Sequence, residues 1–228
     1  MYVYRPEKEV PGIIAEHGLP LEAKSIWIDP PAVSETTQAI IAKAGLNLVN
    51  DALIVETTEW NKFGHLFKRQ EIPAKTILLR EGDISKKAFY IEQGCIRLFF
   101  NNDGKGITFQ FFFEGEGVSS VESFRTNQPG LFTIESIEPC IIHTISKNDF
   151  QSILDNSPII NQQIEENIFR RMVFYQKLFL SRIKDNPQKR YEELIKHYPK
   201  ILQRVPQHYI ASYLGITPVS LSRIRNRQ

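Results

Sequence analysis

The residues from Pro206 to Arg227 have the types and the order that reading a double helix would require. Ala211 offers a small side chain where two helices can cross, and Gly215, four residues later, can take the left-handed conformation of a sharp turn. Ile210 and Leu214 before that turn, with Ile216, Leu221 and Ile224 after it, would form a shared apolar core. Thr217 is placed to cap the second helix, and Pro218 to fill its first position, where no N–H is needed. Projected at about 100° per residue, Leu221 and Ile224 face inward. Val219, Ser222, Arg223 and Asn226 fall opposite, with Arg227 alongside. Arg223 is the strongest candidate for base reading, because its two parallel donors match guanine O6 and N7, worth about 1–3 kcal/mol of discrimination. Val219 suits a thymine methyl. Arg225 projects sideways toward phosphate, as do Gln207 and His208 at the start of the first helix, and Thr217 and Ser220 complete the expected DNA-binding set. Any one of these arginines could be only a solvated charge. The spacing of the whole set is what identifies a helix-turn-helix.

The charge distribution agrees. The 228-residue chain carries a formal net charge of only +2, yet from Arg182 onward it has ten basic and three acidic residues. A basic end on a near-neutral protein points to a polyanionic partner for that end. Two cysteines, Cys95 and Cys140, lie in apolar, strand-like surroundings without a CxxC spacing, too few thiolates for zinc or an iron–sulfur cluster. They are expected to be buried free thiols. The N-terminal stretch has no basic-then-apolar leader pattern, and no run of about 18 apolar residues occurs, so a cytoplasmic location without membrane contact is expected.

Four regions must position the motif. Residues 1–56 carry Pro6, Pro11, Pro20, Pro30 and Pro31, and one helix is expected there, capped by Ser34 and presenting Ile40, Ile41, Ala44 and Leu48 on one face. A short helix around Trp60, Phe63, Leu66 and Phe67 leads into residues where the apolar period becomes two, in segments around Ile77, Phe89–Ile91, Ile96–Phe99, Ile107–Phe111, Phe132–Ile134 and Ile141–Ile145. Glycine turns separate them, as a sandwich or jelly-roll barrel requires. Ser157 and Pro158 then open a helix of about seven turns, with Ile160, Ile164, Ile168, Met172, Tyr175, Phe179 and Ile183 at steps of three and four, ending before Asn186-Pro187. Such a helix outreaches a small barrel, so part of its stripe is expected to meet a second copy through Ile164, Ile168, Met172, Tyr175 and Phe179. A helix wholly buried against its own domain is the other reading.

In this order the parts resemble the CRP/FNR family of bacterial regulators, homodimers that sense a small molecule and bind palindromic DNA. The resemblance runs from about Trp60 to Arg227. It is carried by Leu79-Arg80-Glu81-Gly82-Asp83, by Phe89-Tyr90-Ile91-Glu92-Gln93-Gly94-Cys95-Ile96-Arg97, and most specifically by Arg204 to Arg225. It implies double-stranded DNA, a second copy of the chain and RNA polymerase as partners. Members that bind cyclic AMP have a Gly-Glu-Leu cassette followed by Arg-Ser/Thr-Ala, and Gly117 to Thr133 matches neither half. Cyclic AMP is therefore not the expected effector. Ser119, Ser120, Glu122, Ser123 and Arg125 are the residues left as a candidate effector pocket. Oxygen-sensing members carry four cysteines against two here, and His143 alone does not make a haem site. The sequence stops just after the second helix of the motif, so no wing hairpin is expected beyond it.

The expected fold is α+β: a double-stranded β-helix (jelly-roll) sensor barrel over 57–156, a dimerisation helix over 157–185 and a helix-turn-helix domain over 186–228, preceded by an extension over 1–56. The expected function is a homodimeric DNA-binding transcription regulator with an unidentified small effector and no resident cofactor or metal. The alternative is a ligand-binding module whose helix-turn-helix no longer binds DNA. A cupin-type barrel enzyme would need several histidines converging on a metal. Of His17, His65, His143, His197 and His208, only His143 lies in a barrel strand, so no catalytic residue is assigned.

Overall fold

In a computed structural model of the chain, residues 58–226 are described, together with the backbone of three short strands nearer the N-terminus. The chain divides into two compact units, Met1–Leu53 and Ile54–Gln228. In the first, β1 (Tyr2–Val3), β2 (Ser25–Ile28) and β3 (Asn47–Val49) form a parallel sheet in the order β1-β2-β3. Leu48, expected on a helix, instead pairs with Ile26 in β3. Gly45 is a poor helix residue, and the alternation of Leu46, Asn47 and Leu48 suits a strand better. Ser34, Ile40, Ile41 and Ala44 lie outside the described residues.

The second unit opens with α1 (Thr58–Asn61) and a single 3₁₀ turn at Gly64–Leu66, where one short helix spanning Trp60 to Phe67 is expected from the sequence. Trp60 is buried here, its indole N–H donating to Gln163 Oε1 at 2.9 Å. Eight strands follow: β4 (Lys68–Ile72), β5 (Ile77–Leu79), β6 (Lys87–Gln93), β7 (Ile96–Asn102), β8 (Lys105–Phe112), β9 (Gly117–Val118), β10 (Thr133–Ser136) and β11 (Cys140–Ser146). They form two four-stranded antiparallel sheets, β5-β10-β7-β8 and β4-β11-β6-β9. Between the sheets lies an apolar core. Leu79, Ile134, Leu98 and Phe112 come from one sheet, and Phe89, Ile91, Val118 and Ile142 from the other. Cys95 and Cys140 are free and buried. Gly94 turns between β6 and β7 with φ 111°, and a Cβ there would strike Cys140.

Helix α2 (Val121–Thr126) crosses from β9 toward β10. Helix α3 (Lys147–Asn156) is absent from the elements expected above, although Ser146 caps it, accepting the Asp149 N–H at 3.1 Å. Ser157 likewise caps α4 (Pro158–Lys184), with Pro158 in the first turn, and the helix closes at Asp185. Its N-terminal end packs on α1 and α3, where Ile160 and Ile164 meet Trp60 and Ile153. Further along, Phe169, Met172, Phe179, Leu180 and Ile183 are exposed. Four shorter helices complete the unit: α5 (Pro187–His197), α6 (Pro199–Arg204), α7 (Gln207–Leu214) and α8 (Pro218–Arg225). No helix among the described residues is long and apolar enough to cross a membrane.

Candidate nucleic-acid interface

Helices α7 and α8 meet through a turn built as the sequence demands. Gly215 has φ 68°, and the N–H groups of Gly215 and Ile216 return to the carbonyls of Ser212 and Ala211, each at 2.9 Å. This pair of hydrogen bonds closes α7 in a Schellman motif, which only a residue free of left-handed strain ends well. Thr217 Oγ1 accepts the Ser220 N–H at 3.1 Å and so starts α8, with Pro218 in its first turn. Leu221 is 1% exposed and locks α8 onto Ile210, Ala211 and Leu214, while Ile224 packs at the edge of the same cluster.

With Leu221 turned inward, the opposite face of α8 is open. Val219, Ser222, Arg223, Arg225 and Asn226 are exposed, as are Gln207 and His208 at the start of α7. Thr217 is exposed, Ser220 is half-buried, and Arg227 lies outside the described residues. Gln207, Ser222, Arg225 and Asn226 line one open cleft of about 350 Å³ between the start of α7 and the end of α8. From Val205 to the last residue there is no Asp or Glu, so this stretch itself contributes no charge that opposes an anion. A helix N-terminus beside Arg225 suits phosphate, and the outer face of α8 suits base edges.

The reverse side of α7 makes contacts that the helix-turn-helix pattern does not announce. It lies on the outer face of the β5-β10-β7-β8 sheet, and the core of the C-terminal helices takes in Cys95 and Phe111 of the barrel. Thr108 N–H donates to Ser212 Oγ at 2.9 Å, and Phe111 meets Tyr213 with ring centroids 5.5 Å apart. The Arg97 guanidinium is held between the rings of Phe99 and Tyr209, at 3.9 and 3.8 Å from their centroids. It also donates to Glu135 at 2.7 Å and to Thr108 at 3.1 Å. At the end of α6, Arg204 clasps Glu114 with two bonds of 2.7 and 2.8 Å and also bonds Glu138. Burial alone would raise the Glu114 carboxyl, but Arg204 and the Gly94 N–H outweigh it and hold it down to about 2. A signal for this face was present. Phe111 and Phe112 are consecutive, so β8 ends with a large apolar residue on each face, which a strand solvated on one side does not need.

The candidate effector residues do not converge. Ser120 and Ser123 are buried, and Ser123 Oγ accepts the Ser85 N–H at 2.9 Å. Ser119 is half-buried, whereas Glu122 and Arg125 on α2 are exposed. Phe112 and Phe132 help fill the barrel core, while Phe124 packs edge-on against Phe150 instead. Of the residues expected at a dimer contact, Met172 and Phe179 are exposed; Ile164 turns to the Trp60 cluster, and Ile168 and Tyr175 are half-buried. His143 sits on the outside of the barrel, its ring 2.7 Å from Glu92. Among the described residues no group of three His, Cys, Asp or Glu side chains gathers as a metal site would.

Residues 69–157 match the family model for the cyclic nucleotide-binding domain. No curated protein sequence matches the chain significantly. Among solved structures, the c-di-GMP-responsive global regulator CLP of Xanthomonas campestris is similar at 17% identity and TM-score 0.63, over 74% of this chain and 89% of that one. FixK2 of Bradyrhizobium japonicum is similar at 11% identity and TM-score 0.61, over 71% and 83%. A CooA mutant from Carboxydothermus hydrogenoformans is similar at 16% identity and TM-score 0.59, over 78% and 87%. At these identities the likeness is one of fold.

Proposed function

We propose that this chain, which contains a cyclic nucleotide-binding domain within the fold of the CRP/FNR regulators, is a sequence-specific DNA-binding transcription regulator acting as a homodimer. The observation that carries the reading is the outer face of α8. Leu221 anchors the helix from within, and Val219, Ser222, Arg223 and Asn226 are exposed, in a stretch from Val205 onward that has no Asp or Glu. Arg223 reads guanine, Val219 meets a thymine methyl, and Arg225 with Gln207 and His208 holds phosphate. The unit works as a sensor barrel over 57–156, a dimer helix over 157–185 and a DNA-binding domain over 186–228, with residues 1–56 as an extension. Met172 and Phe179, with their exposed neighbours Phe169, Leu180 and Ile183, form the dimer contact, and RNA polymerase is the further partner. The working compartment is the cytoplasm.

The effector is a small molecule other than cyclic AMP. A cyclic phosphate needs converging cations and N–H groups, whereas Glu122 and Arg125 are solvent-facing and the barrel interior is filled with apolar side chains.

Selection of duplexes from a random pool by the purified protein, at low salt and with cell extract added, tests the function. An enriched inverted repeat with half-sites about one helical turn apart is the expected result. Arg223→Ala is expected to cost about 1–3 kcal/mol against the preferred base pair while leaving non-specific affinity nearly intact. Absence of any enriched repeat would leave the alternative, a module whose helix-turn-helix has lost DNA.

A further inference from the structure

A helix leaves its last carbonyls without backbone partners, and its C-terminal end attracts a cation. One side chain serves two such ends in this chain. Arg190, in the first turn of α5, donates from Nη1 to the Asp185 carbonyl at 2.7 Å and from Nη2 to the Leu214 carbonyl at 3.0 Å. Asp185 closes α4, and Leu214 is the last residue of α7. The remaining guanidinium nitrogen, Nε, is buried. Arg182 comes to the same corner from α4, its guanidinium 5.7 Å from the Tyr213 ring centroid. A Cβ at Gly215 would stand 2.5 Å from Arg182 Nη1, so the end of this long side chain reaches from the long helix over the turn of the helix-turn-helix.

The covalent link here is short. Only Asp185 and Asn186 separate α4 from α5, and both are extended, with φ −101°, ψ 138° and φ −72°, ψ 165°. Rotation at these two residues would swing every later helix about the end of α4. A planar guanidinium resists that rotation because its donors point along fixed directions to two carbonyls on different helices. A lysine at the same place has one nitrogen on a flexible stem and cannot hold both at these distances.

We propose that Arg190 is a positioning residue for DNA recognition: by capping α4 and α7 with one side chain, it fixes the angle between the long helix and α8. It thereby sets the spacing of half-sites that a dimer on α4 accepts. The proposal rests on the reading of the chain as a dimeric DNA-binding regulator.

The test compares the full-length protein with Arg190→Ala and Arg190→Lys on the selected inverted repeat, on repeats with one base pair added to or removed from the spacer, and on a single half-site. Both variants are expected to bind the half-site within about twofold of the parent, while the preference for the parental spacing falls about tenfold or more, as losing hydrogen bonds from a charged donor implies. A structural role alone would weaken every duplex equally. A spacing preference unchanged in Arg190→Ala overturns the proposal. A second measurement needs no DNA: the distance between spin labels at Gln176→Cys on α4 and Ser222→Cys on α8, recorded in labelled chains diluted with unlabelled ones. The buried Cys95 and Cys140 leave the introduced thiols as the sites of labelling. A single narrow distribution that broadens or shifts in both variants supports the clamp, and one that stays unchanged overturns it. If the parent enriches no duplex, the DNA-binding reading fails while the distances still judge the clamp.

Discussion

Two neighbouring rows of one sheet differ sharply in what they hold. The inner row runs across Leu79, Ile134, Leu98 and Gln110 and is apolar except at its end. The outer row, one residue away on the same strands, runs across Glu135, Arg97 and Phe111. The inner row faces the space where a barrel sensor would hold a ligand, and it is filled by Phe112 and its neighbours. The outer row faces α7. The ionic chemistry of this sheet is thus spent on holding the helix-turn-helix and not on lining the barrel. Because side chains alternate along a strand, one residue of register separates these two roles. A search for effector ligands among the charged residues of the barrel therefore leads to the docking face.

The largest expected effect is at the outer row. In Arg97 and Glu135 only 8% and 12% of the side chain is exposed, and removing one charge strands the other. Arg97→Ala is expected to destabilise the fold by about 3–5 kcal/mol, while the paired change of Arg97 and Glu135 to methionine stays near neutral. Urea unfolding of the single and double variants would decide it. A double variant as unstable as Arg97→Ala would mean that the stacking between Phe99 and Tyr209, not the charge pair, holds the face.

A smaller effect is expected at the Arg204 clasp, where the side chains are more open to solvent. The Glu114 carboxyl, held down to about 2 against an ordinary 4.5, contributes stability that is complete above the ordinary value. That contribution is lost as pH falls from there toward 2. Acid titration followed by hydrogen exchange in α6 and α7 should show these helices loosening over that range, with Glu114→Gln removing much of the pH dependence. Loosening confined to the barrel core would contradict this.

The smallest effect is expected inside. Gln110 is 6% exposed, and its Oε1 has no hydrogen-bond partner among the described residues, while its Nε2 donates to the Phe111 carbonyl at 3.1 Å. Gln110→Leu gives up that bond but also removes a stranded acceptor, so a change within about 1 kcal/mol is expected, of either sign. A loss well beyond that in thermal unfolding would mean that the inner row relies on this amide.

The helix-turn-helix was legible because its determinants are local. Gly215 must turn left-handed, Thr217 caps and Leu221 anchors within a few residues of one another, and no distant part of the chain is needed to recognise them. The same holds for Ser157 and Pro158 at the start of α4. Elements whose support is distant were misread. Leu48 joins a strand through its pairing with Ile26, and the Trp60 segment breaks into two short pieces because its apolar residues serve a cluster completed by Ile145, Ile153 and Ile160.

By itself the sequence determined two things here: a barrel followed by a long helix, and a helix-turn-helix at the basic end. Alternation, caps and turn residues act over a few positions and leave their mark in order along the chain. Tertiary structure decided where the charges of the barrel go. Arg97 meets Tyr209, Arg204 meets Glu114, and Arg190 reaches Leu214 across 24 residues of chain. Nothing in the spacing of these residues announces the pairs, because the first two cross between the C-terminal helices and the barrel and the third joins helices that only packing brings together.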